Sequence, residues 1–141
     1  MIDLDFGDSQ GVPTLWIIVN DRNDFAPLRQ LVLELSNGSQ DSIDVLLDRQ
    51  SFRAHASVQS LSFVAASETK KGEVDIRSGI SGRGIVWKQP RLDWDTALQK
   101  LDAMHSRPGH QYFDYPNITI MVSVGEGLNK TSIQCPGTKG T

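Results

Sequence analysis

The chain has 141 residues, 38% of them hydrophobic and 22% charged, with a formal net charge of −3; this suits one domain with a single core and excludes general disorder. No apolar run approaches the ~20 residues a membrane helix needs, and the single cysteine, Cys135, excludes an intramolecular disulfide. Residues 1–50 hold nine acids and three bases, and residues 51–141 eight acids and eleven bases, giving −6 and +3. That asymmetry disfavours a nucleic-acid footprint over the whole surface and suits steering of a basic partner by the first half.

The opening MIDLDFGDSQ is acidic and lacks the basic-then-apolar pattern of a signal peptide, so a cytoplasmic protein is expected. Asp3, Asp5 and Asp8 do not make a calcium loop, because the fifth loop position would be Gly7. The segment reads as a loose acidic arm. TLWIIVN (14–20) is a short β-branched run flanked by turn residues, a buried strand. Asp24–Ser36 reads as a helix with Asp24 as N-cap and Phe25, Leu28, Leu31, Val32 and Leu35 on one face. Gly38 is placed to stop it in a left-handed conformation.

IDVLLD (43–48) is expected to be a second strand, and Ser57–Ser67, Glu73–Ser78 and Gly84–Gln89 three more. Four strands in succession suggest an antiparallel meander. LDWDTALQKLDAMH (92–105) is the second helix. Asp93 is its expected N-cap, and Leu92 is placed to staple back onto Ala97. Trp94, Ala97, Leu98, Leu101 and Met104 form its apolar face, and His105 suits its negative C-terminal end. Pro108 and Gly109 end it. In NITIMVSV (117–124) Ile118, Ile120, Val122 and Val124 alternate with Thr119, Met121 and Ser123, as in a strand with one covered face.

The expected fold is therefore α+β and two-layer, with two helices on one mostly antiparallel sheet of about six strands in the order β-α-β-β-β-β-α-β. Residues 1–128 form the single domain, and residues 129–141 read as a flexible C-terminal tail.

No motif carries a complete chemistry. GISGRG (79–84) has neither the P-loop nor the dinucleotide-fold spacing and reads as a hairpin loop, with Arg83 at its tip free to meet a partner. His55, His105 and His110 lack the companion ligands of a zinc site, so no metal or cofactor is expected. His110 with Asp114 could serve as a base and its orienting carboxylate, which keeps a small enzyme as an alternative; no nucleophile elbow supplies the third group. RPGHQYFDYP (107–116) reads instead as a connection whose Phe113 enters the core. Its His110, Tyr112, Asp114 and Tyr115 form a contact patch, since aromatics at surfaces serve as binding anchors. The acidic Asp21, Asp41, Asp44 and Asp48 are the other candidate contacts.

The stretch from Leu92 to Gly127, a Trp-bearing helix followed by RPGHQYFD and ITIMVSVGEG, resembles bacterial toxin-immunity proteins. These are small cytoplasmic α+β inhibitors encoded beside polymorphic or contact-dependent growth-inhibition toxins. The likeness covers about the last third of the chain. It implies a non-catalytic inhibitor whose partner is one cognate toxin domain, with no direct nucleic-acid or membrane contact. An adaptor or chaperone-like module is the remaining alternative, and monomer and dimer both stay open.

Overall fold

The computed structural model describes residues 1–104 and 108–125. The expected tail at 129–141, with Cys135, and the expected helix-end role of His105 lie outside the described residues. Strands β1 (Ile2–Ser9) and β2 (Val12–Val19) precede helix α1 (Ala26–Asn37). Then come β3 (Ser42–Asp44), β4 (Phe52–Ala54), β5 (Val58–Ala66), β6 (Glu73–Ser78) and β7 (Arg83–Pro90). Helix α2 (Arg91–Ala103), β8 (Gly109–Tyr115) and β9 (Ile118–Val124) complete the described fold.

The class is α+β, but the strands form two mixed sheets rather than one antiparallel sheet. The first has the order β4-β1-β2-β9-β8 and the second β3-β5-β7-β6. In the first, β1 runs parallel to β4 and β2 parallel to β9, while the β1–β2 and β8–β9 pairs are antiparallel. In the second, β7 inserts between β5 and β6, parallel to β5 and antiparallel to β6, so the expected meander does not form.

The opening segment is not a loose arm. Ile2 and Leu4 are fully buried, and Phe6 packs against the same core. Asp3, Asp5 and Gly7 take the alternate positions, the period-two pattern of a strand, and of these Asp5 is itself buried. Gln10 and Gly11 both have positive φ, 54° and 87°, as the mirror-image two-residue hairpin turn requires. The second expected strand is cut short at Asp44. Its side chain accepts a hydrogen bond from the Leu46 amide and turns Val45–Leu47 into a 3-10 turn.

Both helices lie where the periodicity puts them, with different caps. Phe25 and Pro90 occupy the N-cap positions, and neither makes a side-chain capping bond. Asp24 closes a short 3-10 turn capped by Asp21 and pairs with the amino terminus. Asp93 lies inside the first turn of α2, where its charge still suits the helix dipole. Gly38 ends α1 at φ 88°. Leu92 is 69% exposed and lies inside α2, after its N-cap, rather than at the position before the cap from which a staple is made.

One core gathers the inner faces of both sheets and of both helices. Its centre is aromatic: Trp87 on β7 contacts Phe63 on β5, Trp94 on α2 and Phe113 on β8, with ring centroids 5.4, 4.8 and 5.1 Å away. The far face of the five-stranded sheet is not plainly polar, because Trp16, Ile18 and Met121 form a second buried cluster there. No helix among the described residues is long and apolar enough to cross a membrane.

A candidate contact surface on the edge strand

Residues 109–115 form a strand rather than a connection. Gly109 to Tyr115 pair in continuous antiparallel register with Val124 to Ile118, and among the described residues no further strand pairs with β8, which makes it an edge of the described sheet. Period two then sorts the side chains. Phe113 and Tyr115 point to the core, and Phe113 is 8% exposed. His110, Tyr112 and Asp114 take the opposite face and are exposed.

The outward row is ordered by its neighbours. The His110 and Tyr112 rings meet edge to face at 5.3 Å, and Asp114 accepts a hydrogen bond of 2.8 Å from the Thr119 hydroxyl. Tyr112 lies opposite Met121 on β9, and Met121 lies beside Trp16 on β2. These register positions enclose a hollow of about 390 Å³ lined by Val12, Thr14, Trp16, Tyr112, Asp114 and Met121, among others. The floor is apolar and the rim polar, the usual make-up of a pocket that takes an anchoring side chain.

The possible catalytic pair does not assemble. His110 and Asp114 lie four residues apart along one strand, about 13 Å at roughly 3.3 Å per residue, with Tyr112 between them. They also line different hollows. Among the described residues, no group of three or more His, Cys, Asp and Glu is placed to hold a metal ion.

Tyr115 is half-buried and turns its hydroxyl toward the core. Its phenol accepts a hydrogen bond of 2.6 Å from the Trp87 indole N–H and donates one of 3.0 Å to the Gln89 side-chain oxygen. Burial pushes the phenol above its ordinary range. The Trp87 hydrogen bond opposes that shift, and the nearby Asp93 charge adds to it.

The four acidic candidates are exposed, but each also has a local partner. Asp21 accepts from the Asn23 amide, Asp44 from the Leu46 amide, and Asp48 from the amides of Gln50 and Ser51. Asp41 pairs with Arg91. Asp44 and Asp48 share a groove with Glu34, Leu31, Ile43 and Leu47, and Leu47 is 81% exposed. Asp21 lies beyond the other end of α1, about 18 Å away along the helix.

At the far end of the sheets, Phe6, Pro13, Ser57, Ile76 and Arg83 line a third hollow of about 610 Å³. Arg83 is not at the loop tip. It begins β7, with its guanidinium 5.9 Å from the centroid of the Phe6 ring. Ile80 is the residue that projects. Asp5, 4% exposed, accepts from the Ser57 hydroxyl at 2.5 Å.

Sequence reasoning missed Trp16, Thr14 and Met121 as companions of Tyr112. Each strand's alternation was visible, but nothing local announced that β2, β9 and β8 are neighbours. In comparisons with known proteins, no family, no curated protein and no solved structure matches the chain.

Proposed function

We propose that this chain is a non-catalytic, protein-binding inhibitor: a cytoplasmic immunity protein that binds and neutralises a cognate bacterial toxin domain. The supporting observation is the edge strand β8, which presents Tyr112, 41% exposed, and Asp114 beside an apolar-floored hollow. Among the described residues β8 has a neighbouring strand on one side only, and a sheet edge is a recurrent docking place for a partner's strand. A large exposed aromatic beside such a hollow suits a binding hot spot better than a solvated face. The resemblance of residues 92–127 to immunity proteins points the same way.

The acidic groove around Leu47 fits the same role. Its carboxylates would guide a basic partner and raise the association rate, while the exposed leucine supplies apolar contact. The separation of His110 and Asp114, which line different hollows, favours this reading over an enzyme built on that pair. The test is co-purification with the product of the adjacent upstream gene, together with protection of cells that express that product. Failure of both would end the proposal. A stable homodimer that closes the Leu47 groove, with no toxin binding, would favour the adaptor reading.

A further inference from the structure

We propose that the outer face of the five-stranded sheet is a docking surface for the chain's own C-terminal segment, residues 126–141. The segment lies outside the described residues, but the face does not. Register sets Ile18, Trp16 and Thr14 of β2 beside Ser123, Met121 and Thr119 of β9, and on the other side beside Asp3, Asp5 and Gly7 of β1.

The observation that points to an occupant is burial without a described cover. Trp16 is 1% exposed, and Ile18 and Met121 are each 3% exposed. Tryptophan is rarely buried so fully, and the open face of a sheet is ordinarily wet and polar. These three side chains form a cluster of their own, which among the described residues takes in no side chain from either helix or from the four-stranded sheet. Thr14 and Ser123 beside them are buried as well. Ser9, Trp16 and Ser123 on the same face have interaction partners, as buried polar groups require. Neighbours within one sheet screen a ring's edges and leave its outer side to solvent, because side chains stand roughly perpendicular to the sheet. Burial this complete needs a layer above, and it is the burial of a single chain, so the layer belongs to the same chain.

Connectivity and composition choose the segment. Gly125 closes β9 at φ 71°, and its N–H donates to the Val19 carbonyl at 2.6 Å, so residue 126 starts beside β2. Sixteen residues follow, an extended reach of about 50 Å, against about 19 Å across five strands. Residues 105–107, also outside the described residues, span only about 10 Å, and Trp16 lies two strands in from β8. Leu128 and Ile133 supply apolar contact for Trp16, Ile18 and Met121. Lys130 and Lys139 outnumber the one acid, Glu126, and suit a face that carries Asp5 and Asp114.

The inference does not rest on the toxin-binding reading, because it is tested on the full chain alone. The single cysteine, Cys135, takes a nitroxide label, and paramagnetic broadening is read by NMR on the isotopically labelled chain. The Trp16 indole N–H and the Ile18 and Met121 methyl signals should lose most of their intensity, and α1 amides much less, with recovery when the label is reduced. The same pattern should follow from a label at Thr131→Cys in a Cys135→Ser chain. Leu128→Asp with Ile133→Asp should raise acrylamide quenching of tryptophan fluorescence at least twofold, with the helical amide signals unchanged. Broadening that is absent or even over the surface with both labels would overturn the proposal. So would equal broadening when a nitroxide-bearing chain without isotopes is mixed with an isotopic chain without nitroxide, which would make the occupant a second copy.

Discussion

The Trp87 indole N–H donates to the Tyr115 hydroxyl across 2.6 Å, joining β7 of one sheet to β8 of the other. The bond sits beside the aromatic centre of the core, with the two ring centroids 6.4 Å apart. It holds the edge strand that carries the candidate contact row, so the core and the contact surface are mechanically one object.

Tyr115→Phe removes this bond and strands the indole donor and the Gln89 oxygen. Leaving buried polar groups unsatisfied costs about 1–3 kcal/mol, and chemical denaturation should show a loss of that order. The pH dependence follows from the raised phenol. Its neutral form is favoured in the folded state, so its contribution is complete below the ordinary phenol value of 10.0 and is lost as pH rises through the higher folded value. Stability of the wild type should therefore fall more steeply above about pH 10 than that of the variant.

Gly82→Ala should be among the most damaging single changes on the surface loops. A Cβ there would lie 2.5 Å from the Ala56 carbonyl oxygen and 2.9 Å from the Ser57 carbonyl carbon, at φ 154°. Both obstacles are backbone, so neither can swing aside. Strain of this kind costs about 1–3 kcal/mol, readable as a lowered denaturation midpoint. A midpoint equal to that of the wild type would mean the loop is held differently.

The two leucines of α2 should behave in opposite ways. Leu92→Gln should change stability by less than about 0.5 kcal/mol, because the side chain is 69% exposed. Leu101→Ala should cost about 2–5 kcal/mol, since Leu101 is 2% exposed in the core. Equal losses would restore the staple that the sequence suggests and the structure does not show.

These contrasts indicate which features were legible in the sequence. The apolar faces of α1 and α2, the Gly38 stop and the alternation in β9 are local patterns, and each appears where periodicity puts it. Strand β1 was equally local: Ile2, Leu4 and Phe6 alternate with Asp3, Asp5 and Gly7. Its acids suggest a solvated arm, but a strand accommodates polar alternates where they find partners, as Asp5 does in Ser57. The pairings of β5 with β7 and of β2 with β9 are long-range and parallel, and no turn residue encodes them. The contact row suffered from the same gap. His110, Tyr112 and Asp114 are identifiable from the sequence, whereas Tyr115, grouped with them there, shares the Phe113 face of β8, a separation that shows only once residues 109–115 form a strand.

The central claim is that β8 presents a partner-binding surface, and the most direct measurement is the affinity of the purified chain for the product of the adjacent upstream gene. Wild-type chain should form a stoichiometric complex. Tyr112→Ala and Asp114→Arg, both at exposed positions, should weaken it at least about thirtyfold, which is the ~2 kcal/mol or more expected of a hot spot, while leaving the denaturation midpoint within experimental scatter of the wild type. The absence of a complex, or a complex of unchanged affinity in both variants, would contradict the account.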